Sequence, residues 1–469
     1  MSEGKISENK IKLSHFLFYA FLILMFFAKG IGLYDGQTIY RLLFWFAMLC
    51  AAGKIALTGY TKKQWIVVIL LGILAVLIER HSGEKGVLIC YAIVVGMKDI
   101  SLKRVMQIGA AVYGITMCGM VTYFGIFLEK STAMPGVRFG IGKTLRYALG
   151  YPHPNNLLMT YLATITMLIY CLGKKYNWKY AIALMVGNLY LFSYCMSYTG
   201  IITSSLMILL PLYLKNIRHN NLGIFEYSVA GAALPLCLLY SFGMPYLLFD
   251  RIADFLSNYV YTLYHRLILA KQYMTLENLS LLGTHASKVV TGKYSIDNSF
   301  LYAFVFNGVI FFLIVMALYA YMIYQMIKEK RNLEVIIICV FLLEGIIEPL
   351  LFNTSFKNIT LFFLGEILWK RAENIQGYFD SITFSIPGFV EEVSGKFLRC
   401  WEKYVNTIVI VSVGAGIVIS VVCAIRNTER MVFAENVRSC IAVASGITIL
   451  VGIILYLGFY FKERYTKKK

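Results

Sequence analysis

Apolar runs of about 20 residues recur from one end of this chain to the other, and no other feature constrains its fold as strongly. A helix needs roughly that length to cross the ~30 Å hydrocarbon layer of a bilayer. A chain with many such runs cannot bury them all in one water-soluble core. Composition agrees. Of 469 residues, 59% are hydrophobic and 15% charged, where soluble domains carry about 25% charged residues. The mean hydropathy is +0.69. Inside lipid only helices and closed barrels satisfy their own backbone. Runs of this length specify helices, so the chain reads as an all-α polytopic membrane protein. Span centres near residues 21, 49, 71, 91, 116, 164, 187, 206, 232, 312, 341, 362, 415 and 449 predict about 14 transmembrane helices. The run from Leu13 follows "KISENKIK" and precedes no small-residue cleavage site, so it reads as a retained span rather than a signal peptide.

The formal net charge is +19. On a soluble protein it would suggest nucleic acid, but here membrane topology explains it. Lys and Arg concentrate in alternate connections, among them "TKKQ", "GKKYNWK", "KEKRN" and the tail "KERYTKKK". The positive-inside bias then predicts both termini on the cytoplasmic side. The ten cysteines lie mostly within apolar runs and form no CxxC pair. They read as small core residues, with neither a disulfide framework nor a metal site.

Two connections on the predicted outer side stand out, residues 128–154 and 243–297. The second is too long for a plain connector. Its middle, "FDRIADFLSNYVYTLYHRLILAKQYMTL", spaces apolar residues as a helix does, which predicts helices lying at the membrane surface. Residues 1–371 read as a membrane-embedded body of about 12 spans, with the large outer loop between spans nine and ten. Residues 372–403 read as an amphipathic cytoplasmic linker, and 404–469 as a two-span hairpin with a basic tail.

The first connection contains "LRYALGYPHPNN" (145–156) and carries Arg138, Lys143, Arg146 and His153. A basic outer loop runs against the positive-inside bias. Its charges are either solvated or paired with lipid head groups, or they bind a phosphate-bearing ligand, whose oxygens suit the planar arginine fork. His153 is a proton carrier or an ordering residue in the "PHPN" turn. Pro154 suits the first turn of the next helix. Asn155 can cap that helix or bind substrate. "GIGKT" (140–144) resembles the end of a phosphate loop, but Val137 stands where the leading glycine belongs.

The second connection carries Arg266 and His285, and Asp297 and Asn298 mark its entry into the next span. Asp297 is either an N-cap or a general base. Glu344 and Glu348 lie in "FLLEGIIEPLLFN". Carboxylates within a span are costly and usually face an interior cavity. Glu348 is either part of a site or a structural partner of an outer Lys or Arg. Because Arg146, His153 and Asp297 all lie just before spans, they are expected, with Arg266, to converge on one cavity.

These segments carry a resemblance. "RYALGYPHPN" resembles the arginine–glycine–HPN segment of Wzy-type polymerases of bacterial surface polysaccharides (O-antigen and capsule). "SYTGIITSSLMILL" (197–210) resembles the Ser-x-Thr-Gly opening of a middle span in that family. "HRLILAKQYMTLENLSLLG" resembles its Arg…Ala…Leu-Gly stretch. "DNSFLYAFVFNG" is similar to the H-[NSQ]-x-x-L-x6-G motif of the wider O-antigen ligase and polymerase superfamily. There Asn298, Leu301 and Gly308 match, and Asp297 stands where ligases carry histidine. "IEPLLFNTSFKNITLFFLG" resembles the Glu…Asn segment that closes the core. The segments occur in the family's order over about residues 130–365, and the tail from 372 has no counterpart.

The resemblance implies a GT-C-type membrane glycosyltransferase in the bacterial cytoplasmic membrane. Its substrate would be an undecaprenyl-pyrophosphate-linked oligosaccharide, and it would polymerise repeat units at the outer face without metal, cofactor or nucleotide sugar. Its partners would be membrane lipid and the flippase and chain-length regulator of the same pathway, with no nucleic acid. Arg146 and Arg266, with Arg138, Asn155 and Asn298, would bind pyrophosphate and sugar. Asp297, His153 or Glu348 would do the acid–base work. An O-antigen-ligase-like transferase and a flippase of the lipid-linked unit are the rival readings. Against a flippase stands the absence of matching halves in the sequence.

Overall fold

The structure is a computed structural model that describes residues 9–138, 142–248, 261–289, 296–370 and parts of 372–466. Twelve helices make up the body. They are α1 (Leu13–Gly30), α2 (Thr38–Leu57), α3 (Lys62–Ser82), α4 (Gly86–Gly96), α5 (Leu102–Ile126), α6 (Pro154–Leu172), α7 (Trp178–Cys195), α8 (Tyr198–Asn216), α9 (Ile224–Leu238), and, after the large connection, Val309–Lys328, Asn332–Gly345 and Thr360–Trp369. Each covers one of the expected span centres. Among the described residues nine helices are long and apolar enough to cross a membrane, the C-terminal Phe433–Thr466 contributing one of them. α4 and Thr360–Trp369 are short apolar helices packed inside the body, and Ile410–Ile419 in the tail is a third short apolar helix, largely exposed.

Apolar side chains account for both surfaces of this body. One continuous core joins Phe18, Phe26, Tyr113, Leu158, Met207, Phe341 and Phe362. The outside is also apolar. On α3, Ile66, Val67, Ile69, Leu70, Ile73, Val76 and Leu77 are all exposed. Soluble proteins rarely expose such a contiguous surface, and a lipid-facing helix requires it. The chain is a helical, multi-pass membrane protein.

The two ends of the body are built differently. At one end basic residues grip carbonyls and acids. Lys54 donates to the Lys98 carbonyl at 2.7 Å, Lys98 to that of Gly59 at 2.6 Å, and Arg331 to Glu366 at 2.5 Å. A capping box of Thr61 and Gln64 starts α3 there. At the other end lie the two long connections, and with them the candidate site.

Strands appear where none was expected. Ala133–Arg138 and Gly142–Tyr147 pair as an antiparallel hairpin, with Met134 opposite Arg146. Asn9–Lys12 pairs with Thr383–Ile386, which ties the N-terminus to the segment expected to be a linker. Most of that segment, 372–403, lies outside the described residues. The large connection carries a helix, Tyr261–Tyr273, which packs on a π-helical continuation of α9, Leu239–Leu248. Pro235 and Pro245 lie in and after α9. A proline withdraws a backbone donor and disturbs the α-helical ladder.

Candidate functional site

The segment "LRYALGYPHPNN" turns from the hairpin into α6, and most of its polar residues have a defined task. The Tyr151 hydroxyl donates to the Gly30 carbonyl at 3.0 Å, which ties the turn to the end of α1. His153, not Asn155, is the N-cap of α6, with Pro154 in its first turn. The His153 Nδ1 accepts the Asn155 backbone N–H at 3.2 Å. With capping done by His153, the Asn155 side chain is released to face inward.

There Asn155 joins two charged groups. Its Oδ1 accepts from Arg146 Nη2 in a short hydrogen bond. Its Nδ2 donates to Glu348 Oε1 at 2.6 Å. The same Glu348 oxygen lies 3.4 Å from Arg266 Nη2, and Arg266 Nε lies 3.6 Å from Asp297 Oδ2. Five side chains from four distant stretches thus form one polar chain: Arg146, Asn155, Glu348, Arg266, Asp297. Two cations and two anions balance in it, which is how charge is tolerated in so apolar a body.

The segment after Asn332–Gly345 is held in place by its neighbours. Ser299 Oγ donates to the Glu348 carbonyl at 2.6 Å and accepts the Leu351 N–H at 3.0 Å. Lys357 Nζ donates to the Asn156 carbonyl at 3.2 Å. Asn298 caps the short helix Ser299–Val305 through the N–H groups of Phe300 and Leu301. Its Nδ2 donates to Ser241 Oγ at 2.8 Å and to the Ile346 carbonyl at 3.0 Å. The cap role weighed for Asp297 therefore belongs to Asn298, and Asp297 is the ion-pair partner of Arg266. One turn below Glu348, Glu344 is fully buried, and among the described residues no hydrogen bond of standard geometry reaches either carboxylate oxygen.

A small cleft opens beside this chain, lined among others by Tyr240, Ser241, Arg266, Asp297, Asn298 and Ile346. The expectation that Arg146, His153, Arg266 and Asp297 share one cavity holds in part. Arg266 and Asp297 line the cleft. Arg146 does not, since it is 6% exposed and its Nε is taken by the Cys195 carbonyl at 2.8 Å. Glu348, 4% exposed, also lies behind the wall. Among the described contacts His153 serves its own turn. Arg138 pairs with Gly142 at the tip of the hairpin, and its side chain, like that of Lys143, lies outside the described residues. Sequence reasoning missed Ser241, Ser299 and the Cys195 carbonyl. Only the Ser-x-Thr-Gly opening at Ser197, two residues past Cys195, marked that neighbourhood.

Comparison with models of known protein families gives no match, and neither curated proteins nor solved structures match the chain. The class that fold and site define is a helical multi-pass membrane protein with a charge-balanced cleft at one end.

Proposed function

We propose that the chain is a membrane glycosyltransferase that polymerises lipid-linked oligosaccharide repeat units into a surface polysaccharide, at the outer face of the bacterial cytoplasmic membrane. The observation that carries this reading is the Arg146–Asn155–Glu348–Arg266–Asp297 chain beside an accessible cleft. It combines a cation able to meet a diphosphate with a carboxylate able to take a proton, at the end of a body whose flanks suit a lipid-borne substrate. The resemblance to Wzy-type polymerases, with about 14 spans and cytoplasmic termini, belongs to the same reading.

The geometry suggests a division of labour. Arg266 makes the longest contacts of the chain, 3.4 and 3.6 Å, and lines the cleft. A polyprenyl diphosphate entering there would draw the guanidinium away from Asp297 toward its own oxygens. Arg146 would act at one remove, fixing Asn155 and, through it, Glu348. Asp297, with a side chain 39% exposed, then faces the acceptor. The acceptor hydroxyl oxygen attacks the anomeric carbon of the donor chain and its proton passes to Asp297. The bond from that carbon to the diphosphate oxygen breaks, and polyprenyl diphosphate leaves with Arg266 countering its charge.

The test is the glycan phenotype of a deletion strain. Single repeat units left on lipid at the outer leaflet are the expected result. Long chains unattached to their final acceptor would indicate a ligase instead. Units trapped at the inner leaflet would indicate a flippase.

A further inference from the structure

The C-terminal helix, Phe433–Thr466, has no part in the reading above, yet one of its side chains ends beside Arg146. Arg438 Nε donates to the Ser193 carbonyl at 2.6 Å and Nη2 to that of Tyr194 at 3.3 Å. Its Nη1 donates to Thr144 Oγ1 at 3.0 Å, and the guanidinium lies 5.8 Å from the centre of the Tyr147 ring.

Two features of α7 make this a receptive place. The last carbonyls of a helix have no intrahelical donor, and they form the negative end of its dipole. Here two arginines from different elements divide the last three. Arg438 takes Ser193 and Tyr194, and Arg146 takes Cys195. Thr144 stands two residues before Arg146 on its strand, and Tyr147 one residue after. Arg438 therefore holds the hairpin on both sides of Arg146 while anchoring it to α7. The helix that delivers it packs closely along α7. A side chain at Gly446 would meet the Tyr190 ring at 3.3 Å.

We propose that Arg438 is a positioning residue: it clamps the Arg146 strand to the end of α7, so that the appended C-terminal helix is a working part of the site. What the clamp does to glycan length rests on the function proposed above, but the clamp itself does not.

Cys195 supplies a readout independent of activity. It is fully buried at the junction the two arginines close. In membranes carrying the full chain, Arg438→Ala should speed alkylation of Cys195, mapped by mass spectrometry, by about tenfold, the factor that ~1.4 kcal/mol of lost charge-assisted hydrogen bonding gives. Arg438→Lys should fall between, because a point charge cannot bridge two carbonyls and a hydroxyl at once. Gly446→Leu, which leaves Arg438 intact but pushes its helix off Tyr190, should act like Arg438→Ala. If polymerisation is the activity, Arg438→Ala should also shorten the glycan while the protein stays inserted at normal amount. Wild-type alkylation rates in both Arg438→Ala and Gly446→Leu would overturn the proposal. Faster alkylation with no polymer from the wild-type protein would leave the clamp standing and remove the polymerase reading.

Discussion

Removing the charge of Glu348 is the perturbation that most clearly separates a connected site from scattered surface charges. The Glu348 side chain is 6% exposed and that of Arg266 20%, with 3.4 Å between Nη2 and Oε1. At an effective dielectric near 20 the gross attraction at that distance is about 5 kcal/mol. Desolvation of both ions cancels much of it. Glu348→Gln keeps the shape and an acceptor oxygen for Asn155, so the net loss should be about 1–3 kcal/mol. Glu348→Ala also leaves Asn155 and Arg266 without their shared acceptor and should cost ~3–5 kcal/mol. At roughly 2–4 °C per kcal/mol, the melting midpoint of the detergent-solubilised protein should fall by a few degrees for Gln and about twice as far or more for Ala. Size-exclusion of a fluorescent fusion after heating reads this directly. A double substitution with Arg266→Met should lose less than the sum of its parts, with a coupling of about 1–3 kcal/mol. Strictly additive losses, or a Glu348→Ala protein as stable as wild type, would refute the idea that these side chains form one buried network.

Other consequences follow from the same geometry. Arg266→Ala should leave the protein folded and abolish long glycan, and Arg266→Lys should rescue it poorly because a point charge lacks the bidentate fork; gel analysis of surface glycan decides. Arg146→Ala should reduce glycan length as well, but with a measurable loss of thermal stability, since its guanidinium is buried among protein acceptors. Gly308→Ala should cost at least ~2 kcal/mol, seen as a lower yield of folded protein, because its φ is +90° and the new Cβ would lie 2.3 Å from the Gly283 nitrogen. A cysteine introduced at position 285, which is exposed, should label in intact cells while one in the "TKKK" tail should not; the reverse would invert the proposed topology.

How much of this was legible in the sequence depends on the range of the interaction. Span positions are local, set by apolar runs of fixed length, and a helix covers each of the twelve expected centres of the body, eight of these helices being long and apolar enough to cross a membrane. The hairpin at 133–147 was not, because "AMPGVR" and "GKTLRY" show little strand alternation and their pairing is held by contacts with α7. Caps were misplaced by one or two residues. His153 caps where Asn155 was considered, and Asn298 where Asp297 was. Sequence identifies residues able to cap, but backbone geometry picks among neighbours. The contacts of Asn155 with Glu348, 193 positions apart, and of Arg438 with Ser193, 245 apart, had no local signal. The same holds for a main-chain acceptor such as the Cys195 carbonyl, which no residue type announces.

The central claim is that this cleft joins glycan to glycan at the expense of a lipid diphosphate linkage. The most direct measurement is incubation of the purified protein, in lipid nanodiscs, with polyprenyl-diphosphate-linked repeat units of its host. The account predicts a ladder of products rising by one repeat unit per step, one free polyprenyl diphosphate released per step, and no ladder from Asp297→Asn. Repeat units that stay single with intact wild-type protein, or a ladder undiminished in Asp297→Asn, would contradict it.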